Sequence, residues 1–228
     1  MKSNENNPTR AEQVFLQLQA AIIRGELEPG CKISEQELAD TYGISRGPLR
    51  EALNRLEGQK LLVRYPHVGT RVVSLSLREL QELYDVRAQL EGMACRLAAQ
   101  NMTQADIEAL YQVLQVHEQD PQFQAGKAYY EQDGDYDFYH RIIVGSGNQI
   151  LKTMLCDELY QLVRMYRIRF SSAPKRPQQA LQEHYCIVDG LANQDGELAQ
   201  LLMKRHIQAS KLNMARHFCN ESSLQEQL

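Results

Sequence analysis

The sequence lacks the features that mark several large classes of protein. It contains no long apolar run, because charged residues interrupt each hydrophobic stretch within a few positions, and its first ten residues are polar. We therefore expect neither a membrane span nor a secretory signal. Its cysteines are odd in number and show no CxxC spacing, which argues against a disulfide framework and a thiolate zinc site. They are Cys31, Cys95, Cys156, Cys186 and Cys219. This usage favours a reducing cytoplasm.

The sequence also lacks the short motifs that carry common enzyme chemistry. It has no glycine-rich phosphate loop, no HExxH pair and no recognisable nucleophile motif. We therefore expect a protein that binds rather than one that catalyses.

Basic residues are outnumbered overall, but they are concentrated near the start of the chain. The net charge is −4, yet residues 1–75 carry ten Lys and Arg against nine Asp and Glu. Between Ser45 and Arg71 there are six basic residues and only two acidic ones, Glu51 and Glu57. Such a local excess is the electrostatic footprint of a segment that reads DNA.

The order of helical and strand patterns in this basic region predicts a winged helix-turn-helix. A first helix spans Arg10 to Arg24, and Ser34 and Ser45 are suited to cap a second and a third helix. Two short strands, Leu61 to Arg64 and Thr70 to Val73, then form a hairpin. We assign residues 10–75 to this DNA-binding domain.

Beyond Ser76 every long pattern is helical, which predicts an all-α antiparallel bundle over residues 76–220 and a mostly α protein. The predicted helices are Leu77–Gln100, Thr103–Glu118, Ala125–Val144, Gln149–Ser171, Pro177–Asn193 and Gly196–Phe218.

Two arginines on the third helix are candidates for reading bases. Leu49 and Leu53 must face the core, which leaves Arg46 and Arg50, one turn apart, on a common outward face. Guanidinium groups in such positions pair bidentately with guanine in the major groove. The alternative is that they are ordinary surface arginines paired with nearby glutamates such as Glu51 or Glu57.

The segment "GELEPGCKISEQELADTYGISRGPLREALNRLEGQKLLVRYPHVGTRVV" resembles the winged-helix domain of the GntR family of bacterial transcriptional regulators. The resemblance implies a homodimer that binds double-stranded operator DNA. It further implies that the operator is contacted by Ser45, Arg46 and Arg50 of the recognition helix and by His67 and Gly69 of the wing. Gln36, just inside the preceding helix, would lie near phosphate or base. The wing tip, His67 with Gly69, would enter the minor groove.

The second half resembles the FCD ligand-binding domain of the FadR subfamily, on the segments "LYDVRAQLEGMACRLAAQ", "DYDFYHRIIVGSGN" and "EHYCIVDGLANQDGELAQLLMKRH". The resemblance implies a divalent metal, Zn, Ni or Mn, bound by Asp135, His184 and His206 with one further histidine. The position of that histidine holds Tyr139, and His140 follows one residue later. Either His140 reaches the metal through a local distortion of the helix, or Tyr139 replaces the ligand and the metal is held weakly or is absent.

The same resemblance implies a carboxylate effector near the metal, with Arg87, Tyr139 and Arg164 in its cavity. Arg87 has an alternative role as the ion-pair partner of Glu91, four residues on. Arg164, like Arg167, either lines the cavity or covers the bundle surface. The segments "GISRGPLREALNRLEGQ", "LEGMACRLAA" and "LYQLVRMYRIRFSSAPKRP" are similar to regulators found beside propionate operons. This similarity implies 2-methylcitrate or a related tricarboxylate as the effector.

We therefore predict a ligand-responsive transcription factor, acting as a repressor. Two alternatives stay open at this stage. One is a metal-responsive repressor without an organic effector, and the weaker one is a metal-dependent hydrolytic enzyme.

Overall fold

A computed structural model describes residues 9–124, 133–170 and 176–225. The described residues divide into two compact units. The first contains the chain up to Ser74 together with Glu158–Met165, and the second contains Leu75–Asp157 and the chain from Tyr166 onward.

The first unit is a winged helix-turn-helix, as the sequence predicts. Its elements in chain order are α1 (Arg10–Ile23), β1 (Lys32–Ile33), α2 (Glu35–Tyr42), α3 (Arg46–Gly58), β2 (Leu62–Tyr65) and β3 (Gly69–Val72). The two-residue strand β1 was not predicted. It pairs antiparallel with β3, with Lys32 opposite Arg71, and gives a sheet in the order β1-β3-β2.

Local sequence signals set the turn between α2 and α3. The Ser34 hydroxyl accepts a hydrogen bond from the Glu37 amide at 3.3 Å, and Gly43 ends α2 in the left-handed conformation with φ of 59°. Ser45 precedes α3 in an extended conformation but makes no side-chain capping bond, contrary to the prediction. The buried face of α3 is apolar and packs on α1 through Leu49, Leu53 and Leu56.

From Leu77 onward the described residues form helices joined by short turns. Its elements are α4 (Leu77–Asn101), α5 (Gln104–Gln119), α6 (Pro121–Gln124), α7 (Asp133–Gly145), α8 (Gln149–Lys152), a π-helix (Thr153–Leu159), α9 (Tyr160–Phe170), α10 (Arg176–Ala192) and α11 (Gly196–Gln225). The predicted helix Gln149–Ser171 is interrupted by the π-helical turns, and residues 125–132 of the predicted helix Ala125–Val144 lie outside the described residues.

Capping and close packing position the helices of the second unit. Ser76 and Glu79 form a reciprocal capping box that begins α4, and Thr103 and Asp106 form another that begins α5. At Gly190 a Cβ atom would lie 3.3 Å from the Cα of Ala199, so the glycine allows α10 and α11 to approach closely. These two helices carry the histidines discussed below.

Among the described residues, each helix falls short of the length and apolar character that a membrane crossing requires.

Candidate functional site

Helix α3 presents two arginines to solvent on the face opposite its leucines. Arg46 and Arg50 are exposed, whereas Leu49 and Leu53 are almost completely buried. The apolar side of the helix therefore fixes the direction in which both guanidinium groups project.

In this structure both arginines hydrogen-bond to residues of α2. Arg46 Nη2 donates to Gln36 Oε1 at 3.0 Å, and Gln36 Nε2 in turn donates to both carboxylate oxygens of Asp40 at 3.1 Å. Arg50 Nε donates to Glu35 Oε2 at 3.0 Å. The sequence suggested Glu51 and Glu57 as alternative partners. The arginines are paired, but with residues of α2, the other helix of the helix-turn-helix.

These surface pairs are weak enough to be exchanged for DNA. The Arg50 side chain is 61% exposed, and an ion pair at that exposure contributes about 0–1 kcal/mol. A bidentate contact between arginine and guanine is worth about 1–3 kcal/mol of discrimination. Breaking the contacts to Glu35 and Gln36 would therefore cost less free energy than a new contact between arginine and guanine supplies.

The wing joins β2 to β3 through a tight turn. The Val68 amide donates to the Tyr65 carbonyl at 3.2 Å, and both His67 (φ 61°) and Gly69 (φ 107°) have positive φ. His67 is exposed at the tip. A cavity of about 760 Å³ lies between the wing and the start of α2. Its lining mixes positive with negative side chains, among them Lys32, Arg64, Glu35 and Glu37.

The second unit contains a buried cluster of one tyrosine and two histidines from three helices. Tyr139 lies on α7, His184 on α10 and His206 on α11, with exposed fractions of 5%, 0% and 2%. The Tyr139 hydroxyl is 2.6 Å from His206 Nε2 and 3.2 Å from His184 Nε2, and the two nitrogens are 3.3 Å apart. Phe138 stacks on the His184 ring at 4.1 Å between centroids and holds its orientation.

A carboxylate and a guanidinium orient His206 from behind. His206 Nδ1 lies 2.5 Å from Glu183 Oε2, and Arg176 Nη1 donates to the other carboxylate oxygen at 2.7 Å. Arg176 Nη2 also donates to the Ser210 hydroxyl at 3.0 Å. Burial alone would raise the pKa of Glu183, but the hydrogen bonds from His206 and Arg176 outweigh it and lower that pKa to about 2. Glu183 is therefore ionised at neutral pH.

Burial favours the neutral form of both histidines. Burial is the main cause that lowers the pKa of His184 well below its usual value, and the neighbouring His206 and Arg167 lower it further. Burial also lowers the pKa of His206, although the hydrogen bond to Glu183 opposes the change. An ionised Glu183 assigns the proton of His206 to Nδ1, which leaves its Nε2 as an acceptor.

The three arginines Arg87, Arg167 and Arg164 have different surroundings. Arg87 is 4% exposed and forms a buried ion pair with Glu91 at 2.7 Å, the alternative role that its spacing suggested. The Arg167 guanidinium lies over the Tyr139 ring, 5.3 Å from its centroid. Arg167 also lines a small cavity of about 20 Å³ with Tyr84, Ser210 and Asn213 among its walls. Arg164 is half-buried and belongs to the segment that clusters with the first unit.

Comparison with known proteins identifies the family. Residues 10–72 match "Bacterial regulatory proteins, gntR family", and residues 82–209, more than half of the chain, match "FCD domain". The chain is a member of the gntR family with an FCD domain. The members of this family and the matched relatives are transcriptional regulators and not enzymes, as the sequence predicts.

Relatives of this gntR-family protein include regulators of defined operons. The Nta operon transcriptional regulator of Aminobacter aminovorans is 33% identical, with 79% of this chain and 82% of the relative covered. The HTH-type transcriptional repressor GlaR of Escherichia coli (strain K12) is 28% identical, with 82% and 87% covered. The solved structure of E. coli McbR/YncC has a TM-score of 0.72 at 23% identity, with 92% of this chain and 98% of that chain covered. That last likeness concerns the fold alone.

The residues that the FCD resemblance assigned to a divalent metal are only partly brought together. His184 and His206 meet, whereas His140 lines a separate cavity of about 660 Å³ with Asp106 and Asp137. Asp135 falls within α7, but its side chain lies outside the described part of the chain. Within residues 9–124, 133–170 and 176–225, no group of three or more His, Cys, Asp or Glu is arranged to hold a metal ion. The described cluster provides two imidazoles and a phenol, whereas zinc sites in proteins are usually built from imidazole, thiolate and carboxylate ligands.

Sequence reasoning missed Glu183 and Arg176 as parts of this gntR-family site. Glu183 was visible as the acidic neighbour of His184, but its hydrogen bond goes to His206, 23 residues away. A metal-ligating histidine almost always donates its other ring N–H to a carboxylate, a carbonyl or water, and this rule would have pointed from the predicted ligand His206 to an acidic partner.

Proposed function

We propose that this protein is a homodimeric, DNA-binding transcriptional repressor whose affinity for its operator is modulated by a small carboxylate bound in the helical unit. Residues 10–75 bind the DNA, and residues 76–220 bind the effector and form the dimer. Because it acts on operator DNA, the protein works in the bacterial cytoplasm.

The observation that carries the DNA-binding proposal is the exposed pair Arg46 and Arg50 on the second helix of the helix-turn-helix. Both guanidinium groups project from the exposed face of a helix whose opposite face is buried, and both are held by exchangeable surface contacts. Ser45 and Gln36 flank the pair, and His67 and Gly69 form the wing tip that would reach the minor groove. A single recognition helix reads few base pairs, so a two-fold dimer on a palindrome supplies the specificity.

Repression is supported by the relatives. GlaR is named a transcriptional repressor, and the Nta operon protein a transcriptional regulator.

A carboxylate effector is supported by the cationic and polar lining beside the buried cluster. Arg167 connects the Tyr139 ring to the small cavity, where the Ser210 hydroxyl and the Asn213 amide provide hydrogen-bonding groups. The cavity has room for about one water molecule, so a tricarboxylate such as 2-methylcitrate must enlarge it. Arg87 becomes available to the acid only if the ligand displaces Glu91. An acid that enlarges the cavity would push packed helices apart, and this movement provides a route to a change in DNA affinity.

The divalent metal predicted from the sequence stays a prediction. Its proposed ligands were Asp135, His140, His184 and His206, of which the last two are brought together. The effector site proposed above uses arginine and polar side chains and needs no metal.

Isothermal titration calorimetry with citrate and 2-methylcitrate tests the effector site. The wild-type protein should bind one of these acids, and Arg167→Met should weaken that binding at least tenfold. Arg169→Met is the matched control, because Arg169 lies two residues along the same helix and is exposed. Equal affinity in Arg167→Met and Arg169→Met, or no binding by the wild type, would reject the site.

A further inference from the structure

The hydrogen bonds among Tyr139, His184 and His206 join three helices at a position where relatives of this fold are expected to use a metal ion. We propose that the Tyr139 hydroxyl takes the place of that ion, so that the helical unit of this protein is cross-linked and folded without a metal. This inference does not depend on the identity of the effector.

The chain of hydrogen bonds closes without a cation. In this arrangement the Glu183 carboxylate accepts the Nδ1 proton of His206, 2.5 Å away, and the Nε2 of His206 accepts the Tyr139 hydroxyl proton at 2.6 Å. The Tyr139 oxygen then accepts the Nε2 proton of His184 at 3.2 Å. Each hydrogen-bond donor in this chain therefore faces an acceptor, as buried polar groups require.

The same hydrogen bonds compete with a divalent ion. In this arrangement one Nε2 atom accepts from the hydroxyl and the other donates to it, so an ion bound by both nitrogens would have to displace these protons. The phenol cannot swing into water, because Tyr139 is only 5% exposed and its ring is packed edge-on against Phe138 at 5.3 Å. The guanidinium of Arg167 over that ring adds positive charge beside the position that a dication would occupy.

The size of the tyrosine side chain explains the replacement. The Nε2 atom of a histidine lies roughly 2 Å closer to its backbone than the hydroxyl of a tyrosine, which is about the length of one Zn–N bond. A tyrosine at position 139 thus spans the distance that a histidine and a bound metal would span together. Tyr139→His should reopen the space for an ion and provide a third imidazole to hold it.

The test compares metal retention and thermal stability in the full-length wild type, Tyr139→His and His140→Ala. Each protein is incubated with Zn²⁺ or Ni²⁺, desalted and analysed by inductively coupled plasma mass spectrometry, and melted with and without EDTA. We expect the wild type and His140→Ala to retain less than about a tenth of an ion per chain, with melting temperatures that EDTA leaves unchanged. Tyr139→His should retain about one ion per chain and lose thermal stability in EDTA.

Stoichiometric metal in the wild type, with a melting temperature that EDTA lowers, would overturn the proposal. Loss of that metal in His140→Ala would then assign the missing ligand to His140. A folded Tyr139→His protein that retains no more metal than the wild type would also overturn it. The wild-type measurement decides the question if Tyr139→His fails to fold.

Discussion

Removal of one hydroxyl group at Tyr139 should measurably destabilise the helical unit. In the wild type this hydroxyl makes two hydrogen bonds, to His206 at 2.6 Å and to His184 at 3.2 Å. In Tyr139→Phe the two histidine nitrogens, already 3.3 Å apart, can bond to each other directly. The variant therefore loses one net hydrogen bond and leaves no buried nitrogen unpaired, which corresponds to about 1–2 kcal/mol. For a chain of this length the melting temperature should fall by roughly 2–8 °C.

Thermal unfolding followed by circular dichroism provides the assay, at one protein concentration because a dimer melts in a concentration-dependent way. Tyr185→Phe is the matched control, since its hydroxyl bonds to Glu118 at 3.1 Å on the exposed side of α10. The control should stay within about 0.5 kcal/mol of the wild type. A Tyr139→Phe variant as stable as the control would refute the hydrogen-bonded chain.

Three further predictions concern the arginines of α3, the ion pair of Arg176 and the burial of His184. Arg46→Ala and Arg50→Ala should each weaken operator binding by about 5- to 150-fold and weaken binding to random DNA less. The control Arg24→Ala should leave operator binding unchanged. An equal loss of affinity for both DNAs would argue against base reading. Arg176→Met should lower the free energy of unfolding in urea by about 1–3 kcal/mol, because it leaves the half-buried Glu183 carboxylate without its guanidinium, and unchanged stability would contradict this role. Acidification from pH 7 to pH 5 should lower the free energy of unfolding by up to about 2 kcal/mol through His184. Its imidazole takes up a proton in the unfolded chain, whereas burial disfavours protonation in the folded chain. The fall with pH should be smaller in His184→Gln, and an equal fall would show that another group is responsible.

The winged helix was predictable because its signals are local. Ser34 caps α2, Gly43 provides the left-handed residue between two helices, and the leucines of α3 repeat at helical spacing. The strand β1 was missed because two residues cannot show an alternating pattern. The π-helical turns at Thr153–Leu159 were also missed, because a helical repeat in the sequence does not reveal which carbonyl accepts the hydrogen bond from each amide.

The candidate sensor site was only partly predictable because its contacts are long-range. Resemblance to a family drew attention to His184, His206 and Tyr139, but it suggested a metal where the side chains form a hydrogen-bonded chain. Arg176 acts through residues seven and 34 positions away, and no spacing in the sequence marks such a pair. The arginines of α3 were correctly expected on the surface, whereas their partners on α2 depend on how the two helices cross.

The most direct test of the account is the fluorescence anisotropy of labelled DNA from upstream of the protein's own gene, titrated with the full-length protein. The titration is repeated with citrate, 2-methylcitrate and a fatty acyl thioester, each with and without EDTA, and with a scrambled DNA of equal length. We predict tighter binding to the upstream DNA than to the scrambled DNA, and an affinity that one tricarboxylate changes equally with and without EDTA. Equal affinity for both DNAs would contradict the proposed regulator, and a response that EDTA abolishes would contradict a sensor that works without metal.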